Sequence, residues 1–212
     1  MQGNRECGPN RVLRFFNRIY CCGWQRLPRQ TETLPDGPLI LVGNHKAGVD
    51  PLLVQAAVSR PLSFLMAREY YTGMGLKWFF DHVGVVPVNP GGANRHAMRA
   101  ALERVQQGGV LCIFPEGGAN PPIPLHKIYP GAAVIAMETG APILPFRITG
   151  VWPFDHVHIS TSFLRRGRAR VTFGELLHLP HIEGASRSEI AEGIEVVGRA
   201  LRHVPRNGVN KP

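Results

Sequence analysis

The sequence predicts an α/β fold: a mixed, largely parallel central sheet flanked by helices, with an N-terminal amphipathic helix in front of it. Short apolar runs alternate with longer segments of helical character from about residue 38 to 150, which is the rhythm of βα units. Several of those runs end abruptly on polar residues, as strands do when they emerge at one edge of a sheet. Residues 11 to 24, RVLRFFNRIYCCGW, follow a helical period instead.

In that N-terminal segment, at about 100° per residue, Val12, Phe15, Phe16, Ile19 and Tyr20 share one face, with Arg11, Arg14 and Arg18 roughly opposite. Two readings stand: an ordinary amphipathic helix packed on the domain, or an interfacial helix with aromatic residues in a lipid headgroup layer and the arginines near lipid phosphates. A Pro-rich link at residues 34–38 then separates an N-terminal portion, 1–33, from a main domain, 34–212. Strands are expected near 38–43, 62–67, 84–88, 110–114 and 142–148, and helices near 50–59, 69–82, 94–107 and 131–139. Beyond Gly150, the runs His156–Thr161 and Ala169–Phe173 flank Arg165-Arg166-Gly167-Arg168 and read as a hairpin with a basic turn. A last helix covers 186–204, with Ser186 as N-cap and Glu189 completing a capping box.

Composition narrows the function classes. A chain of 212 residues with 44% hydrophobic content buries one substantial core. Its formal net charge of +9 calls for an anionic partner: nucleic acid, a membrane surface, an acyl carrier protein or coenzyme A. Lysine is scarce, so most of the charge is guanidinium, which suits phosphate. Cys7, Cys21, Cys22 and Cys112 form no CxxC pair and no metal-ligand spacing, so neither a disulfide framework nor a zinc knuckle is expected. No apolar stretch approaches the roughly 20 residues that cross a bilayer, and the start lacks a signal-peptide core. The expectation is a protein in solution or lying on a membrane, in a reducing compartment.

Four polar motifs follow apolar strands: Asn44-His45 through Asp50, Arg68, Asn89, and Pro115-Glu116-Gly117. In open α/β sheets ligands bind beyond the carboxyl ends of the strands, so these residues are expected to meet in one crevice. His45 and Asp50 form a His-x4-Asp pair across a strand-to-helix turn. Histidine is suited to take a hydroxyl proton near neutral pH, and a carboxylate on its other nitrogen fixes its tautomer. Asp50 followed by Pro51 is equally an ordinary helix start, an N-cap with proline behind it. Gly117 and Gly118 fit either a close backbone approach or a tight turn. Cys112 lies in an apolar strand and reads as core.

Together these motifs resemble the glycerolipid acyltransferase family, of the 1-acylglycerol-3-phosphate O-acyltransferase type. The similarity runs from about Pro38 to Gly150 through GNHKAGVDP, FLMARE, GVVPV, IFPEGG, YPGAAVIA and APILPFRITG. The resemblance implies direct transfer of a fatty-acyl group from acyl-CoA or acyl carrier protein to a lysophospholipid-type hydroxyl, 1-acylglycerol-3-phosphate first among them, giving phosphatidic acid. His45 would be the base, Asp50 its orienting partner, and Glu116, Gly117, Arg68 and Asn89 the acceptor site. No G-x-S-x-G elbow or Cys-His pair offers a covalent nucleophile. Glu116 cannot grip a phosphate, because anions repel, so an acceptor hydroxyl or a cation suits it. Asn89 and the Gly118-Ala119 pair stand where many family members have phosphate-binding arginines. Arg68 matches a basic family position; Lys46, Arg95 and Lys127 read as solvated surface charges.

His156 and His158, and likewise His178 and His181, lack further ligands, so no metal is expected, and no cofactor beyond the thioester donor. The main expectation is an acyltransferase peripheral to the cytoplasmic face of the cell membrane, its partners a fatty-acyl thioester, a lipid acceptor and anionic lipid. The same chemistry on another lysophospholipid, an aminolipid or a glycolipid is one alternative, and a non-catalytic lipid-binding protein another. Nucleic acid is not expected, since no binding module accompanies the charge.

Overall fold

The computed structural model describes residues 8–73, 75–89, 92, 94–118, 127–152 and 161–205. Six strands, β1 (Leu39–Gly43), β2 (Leu62–Ala67), β3 (Val86–Val88), β4 (Val110–Ile113), β5 (Ile143–Thr149) and β6 (Arg170–Phe173), form one sheet in the order β3-β2-β4-β1-β5-β6. All neighbours are parallel except β6, which runs antiparallel to β5. The mixed, largely parallel sheet is therefore the one the sequence predicts. β1, LILVG, is buried along its whole length, as a strand covered on both faces must be.

Alternation along β1 divides the core into two layers. Leu39 and Leu41 join the cluster beneath α1 (Arg11–Gly23) and α2 (Asp50–Ala57). Ile40 and Val42 face the opposite layer, with Ala101 and Val105 of α5 (Arg95–Gln106), Ile135 of α6 (Gly131–Thr139) and Val197 and Leu201 of α8 (Arg187–His203). Cys21, Leu27 and Leu34 are buried in the first layer, so the N-terminal portion packs into the same core as the main domain.

One expectation is corrected, and another lies partly outside the described residues. The helix expected over 69–82 is two, α3 (Arg68–Gly73) and α4 (Lys77–His82), because Gly75 between them turns with a positive φ of 65°. Of the hairpin expected around the RRGR turn, the first strand falls almost wholly outside the described residues, at 156–160. Thr161–Leu164 is a short helix (α7), and β6 pairs with β5 from Phe146↔Phe173 to Thr149↔Arg170. Apolar alternation alone cannot tell a strand's partner. The capping box of α8 is present, with Ser186 N–H donating to Glu189 and Glu189 N–H to Ser186.

Candidate active site

The site sits where β1 and β4 end. Asn44, the first residue past β1, is buried and clamps the neighbouring strand: its amide donates to Ile148 O at 3.1 Å and accepts from Ile148 N–H at 2.8 Å. The ladder thus ends on a fixed point. His45 Nδ1 then lies 2.9 Å from Asp50 Oδ2. The backbone N–H groups of Lys46 and Ala47 donate to that same oxygen, at 2.6 and 2.8 Å. A carboxylate only accepts, so Nδ1 carries the proton and Nε2 presents its lone pair.

This arrangement decides between the two readings of Asp50. The residue opens α2, but its carboxylate turns back to hold the loop before the helix, and α2 receives no side-chain cap bond. Asp50 is fully buried, and among the described residues Oδ1 accepts no hydrogen bond. Its partner is the imidazole, which retains 19% side-chain exposure.

Two further contacts fix His45. Glu116 Oε2 accepts from its backbone N–H at 2.7 Å, tying the end of β4 to the end of β1. Phe114 stacks on the imidazole with centroids 4.3 Å apart and 19° between the planes, and Phe146 meets Phe114 edge-on at 6.0 Å. Gly43 is required by this stack, because a Cβ there would fall inside the Phe146 ring, its register partner on β5. Gly117 combines both roles considered for it: φ is +72°, and the Tyr129 ring covers the place a side chain would take.

Arg68 and Asn89 meet each other, Arg68 Nε donating to Asn89 Oδ1 at 3.2 Å. They follow β2 and β3, on the same carboxyl edge as His45, and both are exposed. Ala119 lies outside the described residues. Glu116 is the one acceptor-site candidate in direct contact with His45, through the backbone. Asn44, Phe114 and Phe146 received no role from the sequence. Asn44 carried a signal, a polar residue fixed to a strand end, whereas the two phenylalanines read only as core.

Two of the thiols are poor nucleophiles. Cys112 is fully buried on β4, and burial, then the nearby Asp50 charge, pushes its pKa well up; burial pushes Cys21 to about 12. Among the described residues no cluster of three His, Cys, Asp or Glu gathers to hold a metal.

On α1 the arginines face the protein. Arg14 donates to Ser59 O, Arg18 to Thr31 Oγ1 and Arg29 O, and Asn17 donates to Leu52 O at 2.9 Å. Val12, Phe15, Phe16 and Ile19 are exposed, the two rings at 61% and 63%. Arg11 is exposed at the start of the helix. Of the three arginines expected near lipid phosphates, Arg14 and Arg18 instead bond to Ser59, Ala56, Arg29 and Thr31 of the protein itself, while the apolar face looks outward. No described helix is long and apolar enough to cross a membrane.

A parallel α/β sheet that presents a histidine locked to a carboxylate beyond its central strand defines the class. The acyltransferase family model matches residues 25–149, and the chain belongs to that family. A Mycoplasma pneumoniae protein named "Probable 1-acyl-sn-glycerol-3-phosphate acyltransferase" is 30% identical over 142 residues, covering 62% of this chain and 52% of its own length. The "Lyso-ornithine lipid O-acyltransferase" of Pseudomonas aeruginosa is 26% identical over 194 residues, covering 85% of this chain and 74% of its own. The chain spans about half the length of the 1-acyl-sn-glycerol-3-phosphate acyltransferases it matches. The crystal structure of the 1-acyl-sn-glycerophosphate (LPA) acyltransferase PlsC from Thermotoga maritima shares the fold, with a TM-score of 0.62 at 21% identity over 92% of this chain and 81% of that one.

Proposed function

We propose that this chain transfers a fatty-acyl group from a thioester, acyl-CoA or acyl carrier protein, to the hydroxyl of a lysophospholipid-type acceptor, 1-acylglycerol-3-phosphate first among them. The carrying observation is the His45–Asp50 pair, 2.9 Å apart at a strand end, with Nε2 left as the acceptor. Nε2 takes the acceptor hydroxyl's proton as its oxygen attacks the thioester carbonyl carbon. The tetrahedral intermediate collapses to the ester, the carbon–sulfur bond breaks, and the departing sulfur recovers the proton from the imidazolium. Asp50 holds the tautomer and Glu116 positions His45 through its backbone. Both substrates are bound together, since Cys112, the thiol near Asp50, is buried and unfit to carry the acyl group. The exposed apolar face of α1 rests in the interface, which makes the protein peripheral to the cytoplasmic leaflet. The test is bisubstrate kinetics with a labelled acyl thioester: intersecting lines and no acyl group retained on washed protein are expected. Parallel lines with acylated protein would reject direct transfer.

A second reading concerns the acceptor alone. The Arg68–Asn89 pair offers one cation where a phosphate monoester normally meets several. The relative whose length the chain covers to 74% is named for a lyso-ornithine lipid. A phosphate-free amino lipid is therefore the competing acceptor, and a panel of lysophosphatidic acid, lysophosphatidylcholine, glycerol-3-phosphate and lyso-amino lipids separates the two.

A further inference from the structure

The run Arg165-Arg166-Gly167-Arg168 takes no part in the site around His45, yet its turn is tightly built. Its underside is fastened to the core. Gln25, buried, donates its amide to Ser162 O at 3.3 Å and Arg165 O at 3.1 Å. Ala169 N–H returns a bond to Gln25 O, and Arg168 N–H one to Gly150 O, both at 2.9 Å. Gly167 is wedged against Gln25 and Gly150 so closely that no side chain fits.

The outer side carries apolar and cationic groups together. Leu164 is 72% exposed, and Trp24 and Trp152 flank it, half exposed. Each indole N–H donates to the turn itself, Trp24 to Leu164 O at 3.0 Å and Trp152 to Arg166 O at 3.1 Å. Each ring face carries a guanidinium, Arg165 over Trp152 at 4.9 Å and Arg166 over Trp24 at 5.2 Å.

Topology places this turn at the edge that matters. β6 begins at Arg170 opposite Thr149, the end of β5, so the turn lies at the carboxyl edge of the parallel strands with His45. α1 runs antiparallel to α2, with Arg14 bonded to Ser59 and Asn17 to Leu52, and its C-terminal end arrives at the same edge. There Tyr20 Oη donates to Phe163 O at 2.6 Å. Tyr20 and Trp24 thus join the C-terminal end of α1 to the turn.

We infer that the Leu164–Arg168 turn, framed by Trp24 and Trp152, is a second lipid contact that seats on an anionic phospholipid surface and holds the carboxyl edge, with His45, against the bilayer. The inference rests on the proposed interfacial position of α1. An indole whose N–H is already bonded enters the headgroup layer without losing a partner, and tryptophan and arginine are suited to that layer. The guanidinium groups meet lipid phosphates, in keeping with the net charge of +9. An acidic protein partner would use the arginines as well, but exposed Leu164 between two half-exposed indoles, on a turn bonded to the end of α1, favours the membrane.

The experiment is cosedimentation of the full chain with phosphatidylcholine vesicles containing a quarter phosphatidylglycerol, across a salt series. Arg165→Gln/Arg166→Gln is expected to weaken partitioning by about tenfold or more at low salt, at roughly fivefold per arginine near an anionic surface, and to flatten the salt dependence. Leu164→Glu is expected to weaken it by about tenfold through lost apolar burial. Neither changes the melting temperature or turnover on a dispersed short-chain acceptor. Unchanged partitioning of both variants overturns the proposal, and does so in favour of a carrier-protein site if the KM for acyl carrier protein rises instead. Phe15→Ser/Phe16→Ser keeps the two questions apart: loss of binding there with intact binding in the turn variants rejects the turn and retains the helix. Loss in the turn variants with intact binding there rejects the helix and retains the turn.

Discussion

At the carboxyl ends of β1 and β4 the His45–Asp50 pair is held from several sides, whereas, among the described residues, the two exposed side chains at the ends of β2 and β3 bond to each other alone. His45 is fixed by Asp50, Glu116 and the Phe114 ring, and Asp50 by two backbone N–H groups besides. Arg68 and Asn89 meet at 3.2 Å in solvent. The difference matches what each region is proposed to do. Proton transfer needs its base placed to a fraction of an ångström, so the chemistry belongs in a rigid, partly buried frame. Recognition of a headgroup tolerates looser geometry, and an open edge accommodates different acceptors on one machinery.

The comparison breaks first if the locked side carries no chemistry. His45→Ala is expected to lower turnover by about a hundred- to ten-thousand-fold with the fold retained, and Asp50→Asn to lower it strongly but less, because the wrong imidazole tautomer is then favoured. Assays with a labelled acyl thioester, beside circular dichroism spectra, check both. Near-normal turnover by folded His45→Ala protein would end the assignment.

Gly43→Ala probes the frame rather than the base. The added methyl group displaces Phe146, and through it Phe114 and the imidazole stacked on it. Overpacking of this kind costs about 1–3 kcal/mol, read as a lower denaturation midpoint. It should also lower kcat more than it raises KM. A variant that loses stability but keeps kcat would show that the aromatic stack serves packing alone.

Much of this division was legible in the sequence. β1, β2, β4 and β5 were readable because parallel strands buried on both faces are continuous apolar runs, and the His-x4-Asp spacing stood directly behind one of them. What failed to show was long-range pairing. Nothing in Ala169–Phe173 says that its partner is β5, since alternation reports a face and not a neighbour. The break between α3 and α4 has a signal in the sequence, Gly73 and Gly75 two residues apart, but glycine is compatible with a helix unless its φ turns positive, as it does at Gly75. The pattern of α1 separates an aromatic face from a basic one but leaves the partners of the arginines open, because a guanidinium bonds the carbonyls at a helix C-terminus as readily as a lipid phosphate, and only contacts distinguish the two.

On the open side a smaller and more selective effect is expected. Arg68→Ala should raise KM for lysophosphatidic acid by about tenfold, the worth of one charge-assisted hydrogen bond, and leave kcat and neutral acceptors unaffected. An acceptor panel run on both proteins checks it. If a phosphate-free lyso-amino lipid is the best acceptor and the ranking survives the substitution, the phosphate acceptor is wrong while acyl transfer stands.

The smallest effect concerns alkaline stability, and it too belongs largely to the locked side, where Cys112 lies buried near Asp50, while Cys21 is buried on the inner face of α1. Burial pushes Cys112 well up and Cys21 to about 12, so the folded protein keeps thiol protons that the unfolded chain gives up in the ordinary thiol range. A state that binds more protons is disfavoured as protons become scarce, so stability falls as pH rises through that range and toward 12, by up to about 1.4 kcal/mol per pH unit for each thiol. Denaturant unfolding at intervals above neutral pH measures the slope. Cys21→Ala and Cys112→Ala lower the starting stability by leaving small cavities, but each should flatten the alkaline slope, because the proton difference leaves with the thiol. An unchanged slope in both variants would mean that the buried thiols titrate as freely as exposed ones, and that the core around Asp50 is wetter than its packing indicates.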